Sequence, residues 1–592
     1  MASTLLRGMV ACAAASLVTL GVISLPASAA DRLPRICDTE VNSAKRMGAD
    51  VTELSDSGIL RLDGRSVDVV GDDAEWRQNV RGDTTFVTRF HSMAWVVLAA
   101  RQDFPVVDLV LARDAALPDP GSTVDQDRLR ATGWTQSAVR LRMGVVSCLF
   151  EYTKDERLIP VMDRLVLANA DPVRYRGQPL NRVHNHGTLA NLMLIEASDV
   201  FDRPEWRDLA IRRFDQDAAS VFADCGMSVE QSTSYHLLNV QLWERSLRAI
   251  AETSVEAAQI VGTRIQQAEL ATVQLMRPDH ILEAIGDGNQ ATIDPAQLGI
   301  DDSSAPTRLW CGGRGWAANR SSWDDTATHY TLRFGPRRTF HGHYDHGSLT
   351  WFTQGVPVFS DRGLYDKSRG ERFQWAQSRQ AHTTIDPTRS NAEGPSRARD
   401  LSDESADRYS VWWKSGPLAW TRELTIPLQP RYVPAVADDT STDDTSVIPL
   451  GDMSLDDTSV DDTVLPLAPL TSLRAQDVAT ARFDQQWYQN WQLAPGWTVL
   501  ERTTAWEPAA VHQASGLYLY GTCRSGMDMR MTSQTVEAFP KWRTVVPATA
   551  FACGGLGRDV RMDTLWVVTP IKGTLWRDRD SDAFGVTPTP AG

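Results

Sequence analysis

Three of the eleven histidines fall within six residues, in the segment His341-Gly342-His343-Tyr344-Asp345-His346. On a strand, His341 and His343 point to the same face, and Gly342 permits close backbone approach. Imidazoles titrate near neutral pH, so they can move protons or bind a metal. The spacing predicts a functional site here; a surface histidine patch is the alternative.

A second cluster, His184-Asn185-His186, stands just ahead of an apolar helix that is predicted to begin near Leu189. The N-terminus of a helix favours anions, and Arg182 adds positive charge beside it. Taken alone, Asn185 and His186 are more simply explained by helix capping or core packing.

A third cluster, running from Glu230 to His236, lies at the entry to a long predicted helix. Its Tyr235 could be an ordinary packing residue. It gains chemical interest only if the fold brings it to the other two clusters.

These segments resemble a known family. The sequence FGP followed by HGHYDHGSLTWFTQGVPVFSDRGLYD and AHTTID, with NH and EQSTSYH upstream, is similar to the heparinase II/III-like polysaccharide lyases, a group that includes heparin and alginate lyases. The similar motifs cover roughly residues 180 to 390, and the rest of the chain matches only in general architecture.

The resemblance implies β-elimination at a uronic acid, in which the C5 proton leaves and the 4-O glycosidic bond breaks. It implies that Asn185 and His186 neutralise the uronate carboxylate. Tyr235 matches the tyrosine that protonates the leaving oxygen and can also act as base, and His341 matches a histidine that serves as base or neutralises charge. Unperturbed pKa values of about 10 for a phenol and about 6.5 for an imidazole suit an acid and a base.

The resemblance also implies a structural zinc ion held by His343, Asp361 and His382. Two imidazoles and one carboxylate suit tetrahedral zinc with water as fourth ligand. The alternative is that His343 and His382 form hydrogen bonds within the β-domain. No organic cofactor is expected.

The expected substrate is an anionic polysaccharide, although the chain has a formal net charge of −15. A locally basic site would resolve this mismatch, and cationic residues do lie in sequence beside the first two clusters. The predicted substrate-binding residues are Arg182, Arg333, Arg337, Arg338 and His346.

Hydrophobic periodicity predicts two kinds of structure in order along the chain. Apolar residues at three-to-four spacing predict helices from about residue 76 to 276, including 90–110, 135–152, 207–222 and 237–276. After residue 287, short alternating runs bounded by Gly and Pro predict antiparallel strands. The expected fold is an incomplete α/α toroid over 31–290 followed by a β-sandwich over 300–592, and a plain helical bundle is the alternative for the first part.

The first 30 residues have the pattern of a cleaved secretory signal, with Arg7 before an apolar run from Met9 to Ile23. We therefore expect a secreted protein without membrane insertion after cleavage; a retained anchor is the alternative. Six of the seven cysteines follow this segment and could form three disulfides in an oxidising compartment.

Residues 438–464 form a low-complexity acidic insertion in which DDTS recurs. It lacks the ligand spacing of a calcium loop, so a solvated surface loop is expected. The acidic balance of the chain argues against nucleic acid or a membrane surface as partner.

Two other functions fit parts of the same sequence. An inverting glycoside hydrolase on an α/α toroid would pair Glu230 with Asp345 or Asp361. A non-catalytic extracellular polysaccharide-binding protein would use the many tryptophans but would not need Asn185, Tyr235 and His341 together.

Overall fold

The structure is a computed structural model. It describes residues 33–70, 84–102, 104–117, 120, 133–177, 183–301, 303–368, 370–387, 392–434, 467–500, 507–525, 530–578, 581 and 583–589. The predicted signal segment, Arg182 and the acidic insertion lie outside these residues. The chain divides into two compact units, Met1–Asn169 with Asp199–Asp202, and Ala170–Ser198 with Arg203–Gly592.

Helices occupy most of the described chain up to residue 275. The α-helices are α1 (Asp38–Arg46), α2 (Leu54–Ser57), α3 (Thr84–Ser92), α4 (Val96–Ala99), α5 (Val106–Ala115), α6 (Gln136–Thr153), α7 (Leu158–Ala170), α8 (Pro172–Arg176), α9 (Asn185–Phe201), α10 (Pro204–Val221), α11 (Thr233–Thr253), α12 (Val255–Leu275) and α13 (Glu371–Gln377). Short 3₁₀ turns lie at Arg35–Cys37, Ala100–Gln102, Pro295–Leu298 and Arg379–Ala381.

Polar caps determine where several helices begin. Thr135 accepts a hydrogen bond from the Ala138 N–H at 3.2 Å, which starts α6 where the sequence predicted. The predicted helix 237–276 is instead two helices, because Ser254 adopts an extended backbone and its hydroxyl caps α12. The predicted stretch 90–110 likewise contains parts of three short helices.

Strands occupy most of the described chain after residue 280. They are β1 (Ile59–Leu62), β2 (Arg65–Asp68), β3 (Ile281–Leu282), β4 (Ala291–Thr292), β5 (Leu309–Cys311), β6 (Trp316–Arg320), β7 (His329–Arg333), β8 (Leu349–Thr353), β9 (Val356–Phe359), β10 (Ile385–Pro387), β11 (Ser396–Asp400), β12 (Asp407–Ser415), β13 (Leu418–Ile426), β14 (Arg431–Pro434), β15 (Leu467–Gln492), β16 (Trp497–Val499), β17 (Ala509–His512), β18 (Leu517–Ser525), β19 (Arg530–Ala538), β20 (Val546–Thr569), β21 (Gly573–Arg577) and β22 (Phe584–Pro588).

Two antiparallel sheets share one core in the second unit. The large sheet has the order β11-β12-β13-β15-β20-β18-β17-β16, and the smaller one runs in chain order from β5 to β9. Trp351 and Val358 of the smaller sheet belong to the same buried cluster as Trp413, Trp420 and Trp566 of the larger one. Alternation of side chains along the strands places these tryptophans inside. The opposite face of the large sheet points outward along β12 and β13, whereas β6, β7 and β8 of the smaller sheet are buried along their whole length.

Six cysteines form the three disulfides that the sequence allowed, Cys37–Cys148, Cys225–Cys311 and Cys523–Cys553. The first lies in the first unit, and the other two lie in the second. Within the described part of the chain, no helix has the length and apolar character that a membrane span requires.

Candidate active site

Tyr235 lies in the first turn of α11, where its backbone N–H donates to the Ser232 hydroxyl at 3.3 Å. The same hydroxyl donates to the backbone carbonyl of Asp287 at 2.8 Å. The Tyr235 ring stacks on the His341 ring, with centroids 3.4 Å apart and planes 10° from parallel. The fold thus brings the third cluster of the sequence onto the first.

Two carboxylates flank the His341 ring. Its Nδ1 lies 3.0 Å from Asp287 Oδ2 in a hydrogen bond, and its Nε2 lies 3.3 Å from Glu230 Oε2. Burial raises the pKa of Asp287, but hydrogen bonds from His341 and His343 outweigh it and lower that pKa well below its usual range. Asp287 therefore remains an anion that fixes the orientation of His341.

Gly286 allows the backbone before Asp287 to lie close to the backbone of Gln231 and His341. Its φ is +73°, and a Cβ there would lie 2.6 Å from the Gln231 carbonyl oxygen and 2.7 Å from that of His341. Only glycine fits without displacing backbone, which lets the Asp287 N–H donate to the His341 carbonyl at 2.8 Å.

Glu230 ties the second cluster to the other two. Its buried Oε1 accepts from the Asn185 backbone N–H at 2.8 Å and from Asn239 Nδ2 at 2.7 Å. This bond holds the start of α9, which begins at Asn185 rather than near Leu189 as predicted. All three clusters of the sequence therefore belong to one connected network.

The Asn185 side chain pairs with a neutral neighbour. His184 Nδ1 lies 3.1 Å from Asn185 Oδ1, and burial lowers the pKa of His184. With its proton on Nδ1, a neutral His184 donates to this oxygen and the Asn185 amide nitrogen takes no part in that bond; with its proton on Nε2, Nδ1 instead accepts from the His186 backbone N–H at 3.4 Å. His186 is half-buried, with its ring centroid 5.1 Å from that of His184.

Lys367 contacts Tyr235 from a segment that the sequence did not single out. Its exposed ammonium donates a hydrogen bond to the Tyr235 hydroxyl and lies 4.7 Å from the centre of the phenol ring. Tyr235 thus lies between an imidazole on its face and an ammonium at its oxygen. A cation at that position stabilises negative charge on the phenol oxygen.

The predicted metal ligands come together in the interior. One possible ligand atom from each of His343, Asp361 and His382 lies within 4.8 Å of the others, and all three residues are buried. His343 Nδ1 and His382 Nε2 have no hydrogen-bond partner among the described residues. Unpaired buried ring nitrogens beside a carboxylate fit a metal ion, so this triad could hold one.

Asp287 also supports the triad. Its Oδ1 lies 3.1 Å from His343 Nε2, so this nitrogen donates to a carboxylate and Nδ1 carries the lone pair. The second oxygen of the same carboxylate holds His341. One side chain therefore orients both the candidate catalytic histidine and a candidate metal ligand.

Burial contradicts substrate-binding roles for two predicted residues. Arg333 is 1% exposed, pairs with Asp345 at 3.4 Å and donates to the Gly315 carbonyl at 2.6 Å. His346 is also buried, with Nε2 3.1 Å from the Pro336 carbonyl, and burial lowers its pKa to about 4. A neutral imidazole and a paired interior arginine cannot supply free positive charge to an anion.

The two other described arginines lie nearer the surface. Arg337 is exposed, and its carbonyl accepts from Gln231 Nε2 at 3.0 Å. Arg338 lies 3.4 Å from Glu393 and over the Tyr344 ring. Arg337 is therefore the better placed of the two to meet an anionic ligand.

The carboxylates needed by the hydrolase interpretation are all engaged. Asp345 is paired with Arg333, and Asp361 lies 2.8 Å from His382. Glu230 is fully buried and holds two amide donors. A hydrolytic pair needs a carboxylate open to water, which none of these three provides.

Three residues of this network were missed or misjudged from sequence. Glu230 belongs to the third cluster of the sequence, but the only role predicted for it is that of a hydrolytic carboxylate, and Asp287 only marks the change from helices to strands. Lys367 directly follows the family-like segment ending in GLYD, and that adjacency was the one available signal.

Comparison with known proteins finds similar folds among solved structures. No family model matches the chain. No curated protein matches it either. Among solved structures, heparinase III matches with a TM-score of 0.62 and 11% identity, over 93% of this chain and 87% of that one. Heparan sulfate lyase HepC from Pedobacter heparinus matches with a TM-score of 0.55 and 14% identity, over 93% and 86%.

These matches confirm the predicted fold class, an α/α toroid followed by an antiparallel β-sandwich. The chain shares the fold of heparan sulfate lyases along nearly its whole length. At such low identity the likeness concerns fold alone, because function depends on particular side chains.

Proposed function

We propose that this protein is a secreted lyase that cleaves a uronic-acid-containing polysaccharide by β-elimination. The observation that carries the proposal is the position of Tyr235, stacked on His341 and hydrogen-bonded to Lys367. The shared fold of heparan sulfate lyases supports the same reaction class.

β-Elimination requires a neutralised carboxylate, a base for the C5 proton and an acid for the leaving oxygen. Asn185 and His186 are assigned to the carboxylate. No hydrogen bond from Asn185 Nδ2 forms within the described residues, so this amide can donate to a substrate anion. The backbone bond to Glu230 fixes the position of Asn185 before substrate arrives.

Tyr235 is assigned both proton transfers. As a phenolate stabilised by Lys367, its oxygen takes the C5 proton while the electron pair forms the C4–C5 double bond. The bond from C4 to the glycosidic oxygen breaks, and that oxygen leaves with the neighbouring sugar and takes the proton from Tyr235. His341, held by Asp287, supplies positive charge beside the ring when protonated, and so serves the charge-neutralising role rather than that of base.

The substrate is proposed to be anionic, with exposed Arg337 contributing charge. Three disulfides fit an oxidising compartment, in agreement with the secretory pattern of the first 30 residues. The metal triad is assigned to zinc, bound through His343, Asp361 and His382. Zinc would tie three segments of the β-domain together, and no proton transfer depends on it.

The test is the ultraviolet absorbance of the unsaturated uronate product during digestion of alginate, heparan sulfate, hyaluronan, chondroitin and bacterial uronate polymers. Wild-type protein should generate absorbance on at least one polymer, and Tyr235→Phe should abolish turnover while leaving polymer affinity nearly unchanged. Lys367→Met should lower kcat with little change in KM, whereas Lys367→Arg should retain part of the rate.

Two results would contradict the proposal. Reducing ends that form without ultraviolet absorbance would indicate hydrolysis, and an active Tyr235→Phe protein would remove the tyrosine from the mechanism. Binding without turnover on every polymer would favour the non-catalytic interpretation.

A further inference from the structure

The outward face of the large sheet carries a row of five paired residues, one from each of β11, β12, β13, β15 and β20. Cross-strand pairing gives the order Arg397, Trp412, Thr421, Val478 and Arg561. With strands about 4.8 Å apart, the row extends roughly 19 Å across the sheet. That length suits an extended polymer rather than a single small molecule.

This row faces away from the core. Trp412 is 38% exposed and Val478 is 42% exposed, whereas the next residue along β12, Trp413, is 1% exposed. Beside the row lies a groove of about 410 Å³, whose lining includes Thr421, Val478 and Arg561 of the row, a second cation at Arg524, and the carboxylates Glu423, Asp477 and Asp563. Asp477 is buried in a salt bridge with Arg422. An exposed indole next to a polar groove is a feature that the fold itself does not need, since the core lies on the other face.

Positive charge is concentrated on this face of an acidic protein. Arg397 and Arg561 are exposed, and neither forms a salt bridge among the described residues. Asp563 is already held by Arg474 at 2.9 Å and Arg577 at 2.8 Å. The outward cations of these strands are Arg397, Arg399, Arg408, Lys414, Arg474, Arg524 and Arg561, against the carboxylates Glu423, Asp559 and Asp563. Arg408 is paired with Asp403.

The face is distinct from the candidate active site. Arg422, the neighbour of Thr421 on β13, points inward and donates to the carbonyls of Gly347 and Thr383 at 2.9 Å. Those two residues directly follow His346 and His382. The histidine segments therefore contact the inner side of the strand whose outer side carries the row.

We propose that this face is a second binding surface for an anionic polysaccharide. The Trp412 indole packs against the apolar face of a sugar ring, and the guanidinium groups of Arg397 and Arg561 donate to carboxylate or sulfate oxygens. Charge complementarity favours a polyanion over a neutral glycan. Such a surface would hold the protein on polymer while the Tyr235 site acts, yet its binding does not depend on that chemistry.

The experiment is affinity electrophoresis of the full chain in native gels containing alginate, heparin or neutral dextran. Wild-type protein should be retarded by a polyanion in a salt-dependent manner and not by dextran. The double variant Trp412→Ala/Arg561→Ala should bind the polyanion about tenfold more weakly, as expected for loss of central contacts. Turnover of short oligosaccharides should stay unchanged while turnover of dilute polymer falls.

Trp310→Ala is the matched control, because Trp310 is 37% exposed but stacks on Tyr409, on the inner side of β12. It should bind polymer like wild type, and thermal unfolding should show that both variants are folded. Undiminished polyanion binding by the double variant would overturn the proposal. A second result would also overturn it: wild-type protein that dimerises through this face in a concentration-dependent manner, binds no polyanion, and no longer dimerises when Trp412 and Arg561 are replaced.

The two proposals fail separately. A protein that binds polyanion through Trp412 and Arg561 but never forms unsaturated product would retain this surface and lose the lyase assignment. A protein that forms unsaturated product but binds polymer equally well without Trp412 and Arg561 would retain the lyase assignment and lose this binding surface.

Discussion

Asp287 holds both histidines of the cluster through one carboxylate, with Oδ2 3.0 Å from His341 Nδ1 and Oδ1 3.1 Å from His343 Nε2. Asp287→Asn keeps the shape of the side chain but leaves one acceptor oxygen and one amide donor. One of the two ring N–H groups must then face another donor, so its imidazole must rotate or change tautomer.

The expected loss is that of one hydrogen bond to a charged acceptor, about 1.5–3 kcal/mol. At 1.36 kcal/mol per tenfold in rate, kcat should fall roughly 10- to 150-fold if His341 is the ring that turns. KM should change little, since Asp287 is buried and is not assigned to the substrate. If His343 turns instead, metal affinity should fall by about 10- to 100-fold.

The assay is kcat and KM by ultraviolet absorbance, with metal content by elemental analysis of the same preparation. The control is Asp301→Asn, the same substitution at an exposed loop aspartate whose carboxylate accepts from the backbone N–H and the hydroxyl of Ser303. An Asp287→Asn protein with unchanged kcat and full metal content would refute the orienting role.

Three further predictions concern stability. Arg422→Met should cost about 3–5 kcal/mol in urea unfolding, because it leaves Asp477 buried without its salt-bridge partner. Arg422→Met/Asp477→Leu should recover only part of that loss, because the Gly347 and Thr383 carbonyls lose their Arg422 donor and the Gln489 amide loses its Asp477 acceptor. Burial raises the pKa of Asp386 to about 6, so its protonated form favours folding and stability is lost as pH rises from about 4 to 6. Asp386→Asn should remove that slope and raise stability at pH 7 by about 2–3 kcal/mol; a steeper slope would contradict this. A chelator should lower the thermal midpoint of wild type, zinc should restore it, and His382→Ala should be insensitive to both; an equal response in the variant would place the metal elsewhere.

Sequence alone determined the order of helices and strands and the composition of the three polar clusters. Hydrophobic spacing predicted the helix that starts after Thr135, and a short run rich in apolar residues predicted the strand Leu349–Thr353, which is buried along its whole length. Family-like motifs identified Asn185, Tyr235 and His341 as partners. The same motifs predicted His343, Asp361 and His382 as one metal site, and the structure brings these three residues together.

Only the tertiary structure determined which side chains contact each other across distant parts of the chain. Lys367 meets Tyr235 across 132 positions and Asp287 meets His341 across 54, and no local pattern encodes such pairings. The sequence predicted Arg333 as a substrate ligand beside the histidines, but its strand β7 lies between β6 and β8 and is buried on both faces, so the guanidinium pairs with Asp345 in the interior. Sequence spacing specifies which residues share a face of their own element, whereas the partner of that face depends on long-range packing.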